Sequence, residues 1–245
     1  LGYRVVPTDN SMIGQAAADK EPQIEQVFVA NTSCKTQQQF ERKLYVLRNY
    51  TTHIVYETVT EIGEDFYVAS MSSRTIVYKG QLTTAQVRQY YLDLQDERTV
   101  SALAMFHSRF ATNTFPHWRR AQPFRYLSHN GEINTVKGNI NWLAARQSLF
   151  ESINFTSEEM DMLLPVYDRS MSDSANLDMM VELLVLSGRP LAQAMMMVVP
   201  EAWQTQEDMD AVKRAFYEYY ACIMEPWDGP ASISFTDGNV IGATL

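Results

Sequence analysis

The sequence predicts an α+β fold, and three observations carry that expectation. Strand-like and helix-like runs follow one another in a mixed order, with helices grouped between hairpins and no regular strand–helix alternation, which argues against a doubly wound sheet. Turn residues bring short strands together in pairs, as Asp237 and Gly238 do between residues 232–235 and 240–245. Hydrophobic residues make up 46% and charged residues 20% of the 245, enough for a sizeable core. A single domain over residues 1–245 is expected.

Taken in order, residues 1–7 read as a strand closed by Pro7 and the turn formers Thr8, Asp9 and Asn10. Residues 14–22 form a polar connection, and 23–30 alternate apolar and polar as a sheet strand does. Residues 37–51 predict a helix with an apolar face (Phe40, Leu44, Leu47) and a solvated basic one (Arg42, Lys43, Arg48). Residues 66–71 and 75–78 predict two strands around a turn at Ser72, Ser73 and Arg74. Thr83 and Thr84 cap a helix to about residue 94, with Val87, Tyr90, Tyr91 and Leu94 in the core. The apolar run 101–106 predicts a buried strand that carries on to Arg109, and 124–127 predict another.

A helix is expected from Ile133 through Leu149, with Trp142 as packing, and a second one starts at Ser157, Glu158 and Glu159. Ser172, Asp173 and Ser174 form an N-cap cluster before an apolar helix, 177–186, ended by Gly188. Pro190 opens the next helix, whose run Met195, Met196, Met197 is core filling. Residues 207–224 predict an amphipathic helix rich in tyrosine, followed by a turn over 226–230. Asp161, Asp168 and Asp178 read as surface or capping charges.

Two polar clusters follow predicted strands, HSRFATNT (107–114) and SHNGEINT (128–135). Side chains at strand ends are held by the sheet, which suits a binding site. Arg109 offers a planar fork of donors matched to a carboxylate. Asn130 carries an amide donor on a short side chain, and Gly131 lets the backbone and its N–H approach a ligand. An Asn side-chain donor beside a Gly backbone donor is the make-up of an oxyanion hole. The same pair is also an ordinary turn signal, and both readings stand on the residues alone. A helix starting at Ile133 would add its positive end near the pair. His107 and His129 read as structural hydrogen-bonding groups, and no metal site is expected. Cys34, in a loop without a His or Asn partner, reads as an ordinary thiol.

HSRFATNT, AQPFRYLSHNGEINT, SDSANLD and MEPWDGPA together resemble the glutamine amidotransferase domain of glutamate synthase large subunits, a member of the class II amidotransferases. The resemblance runs from LGYRVVPT at the start to DGNVIGATL at the end. It implies the N-terminal-nucleophile hydrolase fold, an αββα sandwich of two antiparallel sheets between helical layers. It implies an oxyanion hole from Asn130 and Gly131, a carboxylate grip from Arg109 with Thr112 nearby, and an Asp173 that pairs with the substrate α-amino group. In such enzymes an N-terminal cysteine attacks the side-chain amide of L-glutamine, and ammonia passes to a synthase domain of the same polypeptide. There 2-oxoglutarate becomes L-glutamate at the expense of electrons carried by FMN and an iron–sulfur cluster, delivered by an electron-donor subunit or ferredoxin.

The family's Cys-Gly motif is absent, and neither Cys34 nor Cys222 stands in one. The resemblance therefore implies a fold incomplete at both ends, holding most of a glutamine pocket without the nucleophile and without cofactors of its own. Three functions stay open: a glutamine-hydrolysing segment of a glutamate synthase, a non-catalytic module that binds an amino acid or another subunit, and a different class II amidotransferase. The net charge of −9 argues against nucleic acid and anionic membrane as partners. No run of eighteen apolar residues predicts a membrane span. Two distant cysteines fit neither a disulfide framework nor zinc, and point to a reducing compartment: cytoplasm, or plastid in a photosynthetic eukaryote.

Overall fold

The computed structural model describes residues 1–59, 61, 65–110 and 114–245. The chain divides into two compact units, Leu1–Ser128 and His129–Leu245. Helices and small antiparallel sheets make it an α+β protein.

In the first unit, β1 (Gly2–Val5) pairs antiparallel with β2 (Glu25–Phe28), with Tyr3 opposite Val27 and Arg4 opposite Gln26. Arg4 reaches past the sheet to an ion pair with Asp93. Between the strands, α1 (Gln15–Ala18) gives the polar connection one helical turn. Helix α2 (Gln37–Thr58) starts on a capping box in which Thr36 and Gln39 satisfy each other's backbone N–H groups. It runs past residue 51 because no Gly or Pro stops it. Thr52 and Thr58 also return their hydroxyls to the carbonyls of Arg48 and Ile54, at 2.8 and 2.6 Å. Its basic face is not wholly solvated: Arg48 is buried, over the ring of Tyr45.

Buried Glu41 of α2 binds the turn at Ser72 and Ser73, through both hydroxyls and the Ser73 N–H, at 2.6–2.8 Å. The turn is therefore where expected, but the strands expected at 66–71 and 75–78 do not form. Side chains take the place of a ladder there: Ser70 Oγ accepts from Val77 N, and Arg125 donates to the Val68 carbonyl. Helix α3 (Thr84–Tyr90) leads into a 3-10 turn, Leu92–Gln95. Val6, Tyr90, Tyr91 and Trp118 form one core cluster, flanked by Val87 and Leu94. Trp118 donates from Nε1 to the Ala17 carbonyl at 2.9 Å.

The strand expected at 101–109 is also absent among the described residues, and Phe106 is 82% exposed. An apolar run specifies hydrophobicity but supplies no hydrogen-bonding neighbour, without which extended chain is not a sheet strand. The strand expected at 124–127 instead starts at Leu127, as β3 (Leu127–Gly131), and enters the second unit.

There β3, β4 (Ala231–Thr236) and β5 (Ile241–Thr244) form a sheet in that order. β4 and β5 are antiparallel, with Phe235 opposite Gly242, around a turn in which Asp237 accepts from Asn239 N and Val240 N. Helix α4 (Val136–Arg146) starts later than expected, and the residues ahead of it run along the 228–230 segment, Glu132 N and Asn134 N donating to the carbonyls of Pro230 and Asp228 at 3.0 and 2.8 Å. Trp142 is 54% exposed with Arg146 over its ring, and so is not core packing.

Helix α5 (Ser157–Leu163) is capped by Thr156 with Glu159. Helix α6 (Asp173–Leu186) is buried nearly all round, as a helix apolar on every face must be. It packs against α4 and α7 (Leu191–Val198), where Met195 and Met197 fill the core. Asp178 of α6 is fully buried, so it is not a surface charge. Helix α8 (Ala211–Ala221) is shorter than predicted, because Asp210 caps it by accepting from Val212 N and Lys213 N.

Candidate active site

The end of β3 and the start of α6 are joined by two hydrogen bonds. Asp173, the first residue of α6, accepts from Ile133 N through Oδ2 at 2.8 Å. His129 Nδ1 lies 2.8 Å from Ser174 Oγ, and both residues are buried. Asn130 and Gly131 lie between these two anchors in sequence, and both are exposed. The Asn-Gly pair is thus held at a strand end instead of at a free hairpin tip.

Gly131 has a φ of 140°, in the region that favours glycine. A Cβ there would overlap the Pro230 carbonyl oxygen and stand 2.9 Å from Ala231 Cα. Gly229 mirrors it, with a φ of 152° and a Cβ position that would overlap the Glu132 carbonyl oxygen. The segments HNGEI and PWDGP therefore meet backbone to backbone. Gly131 lies a full turn ahead of Val136, the first residue of α4, so the helix-end assistance expected from α4 fades before reaching it.

Asp173 is more engaged than an N-cap cluster alone predicts. Besides Ile133 N, it accepts from Ser174 N at 2.7 Å and from Ser174 Oγ at 3.2 Å, both through Oδ1. Three bonds leave one of a carboxylate's roughly four acceptor directions for another donor. The cap of α6 is Ser172, which accepts from Ala175 N. Sequence reasoning placed Ser174 in the cap cluster but missed its bond to His129, the tie from Asp173 to Ile133 and the close approach at Gly229. The glycine in PWDGPA was the one available signal for the last of these.

Asn130, Gly131 and Asp173 all belong to the second unit. Arg109 is an exposed residue of the first unit, and its backbone N–H donates to His107 Nδ1 at 3.2 Å. Thr112 lies outside the described residues. Cys34 sits in a small loop closed on Asn31, whose side chain bonds both its N–H and its carbonyl. Cys222 caps α8, its thiol 3.3 Å from the Glu218 carbonyl. Among the described residues no group of three or more His, Cys, Asp or Glu could hold a metal, and no helix is long and apolar enough to cross a membrane.

Sequence comparison identifies the family to which this strand end, braced by a carboxylate, belongs. The family profile described as class II glutamine amidotransferases matches residues 1–245, and the chain belongs to that family. More particularly, all of the chain is similar to parts of glutamate synthases. It is 52% identical to the glutamate synthase [NADPH] large chain of Bacillus subtilis, 48% to the glutamate synthase [NADH] of Schizosaccharomyces pombe and 42% to the ferredoxin-dependent glutamate synthase of Pyropia yezoensis. The chain spans 16%, 12% and 16% of the lengths of these three relatives.

Proposed function

We propose that the chain is the glutamine-hydrolysing part of a glutamate synthase, releasing ammonia for the reductive formation of L-glutamate from 2-oxoglutarate. The observation that carries this reading is the braced Asn130–Gly131 pair: Asp173 Oδ2 holds Ile133 N at 2.8 Å on one side, and Ser174 holds His129 on the other. In this reading Asn130 Nδ2 and the Gly131 N–H donate to the oxygen of the tetrahedral intermediate. Preorganised donors of this kind act mainly on charge that develops during reaction, so they raise turnover more than affinity.

In this reading Arg109 and Thr112 are assigned to the α-carboxylate of glutamine, and Asp173 to its α-ammonium group. Neither Cys34 nor Cys222 is the attacking thiolate in this reading, since neither stands in a Cys-Gly motif. The family match through both units supports reading residues 1–245 as one amidotransferase domain of the layered αββα kind. An iron–sulfur cluster is held by several clustered cysteine thiolates. Two distant cysteines do not fit one, so the redox groups and their electron donor engage other parts of such a polypeptide. Its compartment in this reading is the cytoplasm, or a plastid in a photosynthetic eukaryote.

The deciding experiment is Asn130→Ala in a glutamate synthase carrying this chain. Glutamine-dependent turnover is expected to fall about a hundredfold, with a much smaller change in KM. Unchanged turnover would reduce Asn130 to a turn residue and remove the proposal.

A further inference from the structure

We infer that His129 and Ser174 are positioning residues for the oxyanion hole, acting as a buried relay that begins at Asp173. The inference rests on the proposed glutaminase function and adds two residues to it. Ser174 Oγ stands 3.2 Å from Asp173 Oδ1 and 2.8 Å from His129 Nδ1. Ser174 and His129 are 2% and 3% exposed. A hydroxyl has one proton, and the ionised carboxylate is its stronger acceptor. Ser174 therefore donates to Asp173 and accepts from His129, which fixes the imidazole with its proton on Nδ1.

The consequence falls on the neighbouring residue. His129 immediately precedes Asn130 in β3, so the ring's anchor sets where the strand end leaves the sheet. Asp173 Oδ2 holds the other flank of the pair at Ile133 N. One carboxylate thus fixes both sides of Asn130–Gly131, directly on one side and through Ser174 and His129 on the other. An oxyanion hole tolerates little displacement, and a shift of about 1 Å costs on the order of a hundredfold in rate.

The test uses a glutamate synthase carrying this chain, with Asn130→Ala as the reference variant. Ser174→Ala removes the middle of the relay. His129→Asn keeps a donor near the Nδ1 position, whereas His129→Gln moves it outward. Glutamine-dependent kcat and KM, ammonia-dependent glutamate formation and thermal melting are measured for each. The expected result is a fall in glutamine-dependent kcat of about 10- to 100-fold for Ser174→Ala and His129→Gln, with KM within about threefold and ammonia-dependent activity retained. His129→Asn is expected to recover most of the loss.

If Asn130→Ala lowers kcat and Ser174→Ala does not, the relay is overturned and the glutaminase reading survives. If Asn130→Ala itself has no effect, the reading fails first. Should Ser174→Ala fail to fold, the two histidine variants decide: Asn above Gln supports the relay, and equal activities overturn it.

Discussion

Replacing Gly131 by alanine puts the close approach of HNGEI and PWDGP to a quantitative test. The backbone at Gly131 has a φ of 140°, and holding a residue with a Cβ in such a region costs about 1–3 kcal/mol. The new methyl would overlap the Pro230 carbonyl oxygen, so the segments must separate. That removes the bond from Glu132 N to Pro230 O, now 3.0 Å, for a further loss of about 0.5–1.5 kcal/mol. Against this, alanine restricts the unfolded chain and returns about 0.4–1 kcal/mol. The net expectation is a destabilisation of about 0.5–4 kcal/mol, centred near 2 kcal/mol.

Gly138 supplies the control within the same unit. It lies in α4, and a Cβ there would meet nothing within 4 Å. Gly138→Ala should stabilise by about 0.5–1 kcal/mol through helix propensity. Urea denaturation followed by tryptophan fluorescence and circular dichroism reads both. With a denaturant slope of about 1–3 kcal/mol per molar, the two midpoints should separate by roughly 1 M or more, in opposite directions from the parent. If both alanines shift the midpoint the same way, or Gly131→Ala matches the parent, the close-approach argument is wrong.

Three further outcomes are expected. In a glutamate synthase carrying this chain, Arg109→Lys and Asp173→Asn should each raise the glutamine KM by at least about tenfold while ammonia-dependent activity persists; equal loss of both activities would assign these residues to the fold. The 245 residues alone should show no glutaminase activity, and hydrolysis abolished by Cys34→Ser or Cys222→Ser would contradict the assignment of the nucleophile. His117 is held below its ordinary pKa of 6.5, first by burial and then by the charge of Arg119, while Asp65 opposes. Its Nδ1 also accepts from Arg119 N, which a protonated nitrogen cannot do. The unfolded chain therefore takes up the proton at higher pH, so this group's contribution is complete above 6.5 and is lost as pH falls through its folded value. Melting curves should show a steeper acid decline for the parent than for His117→Asn, and parallel declines would refute the point.

Local chemistry was legible wherever neighbours in sequence suffice. The cap of α6 at Ser172, its end at Gly188, the start of α7 at Pro190 and the hairpin at Asp237 and Gly238 all depend on residues within a turn of one another. What failed depended on partners far along the chain. The run before Arg109 has the right residues for a strand and forms none, and no local pattern distinguishes the two cases. The burial of Arg48 and Asp178 follows from where α2 and α6 pack, which helical spacing alone does not reveal. The candidate site divides in the same way. Asn130 and Gly131 announce themselves as a pair, but the brace from Asp173 to Ile133 crosses 40 residues. Thr112, for which a role was expected, lies outside the described residues.

The facing glycines have a genetic consequence. At Gly131 and Gly229 the neighbour that a side chain would strike is a main-chain oxygen, on Pro230 and Glu132 respectively. A main-chain oxygen is present whatever residue carries it, so no substitution at the struck position can make room. A selection for recovery of a Gly229→Ala strain should therefore return glycine at codon 229 far more often than compensating changes at codons 132 or 230. Frequent recovery through those codons would show that the two segments can part without loss.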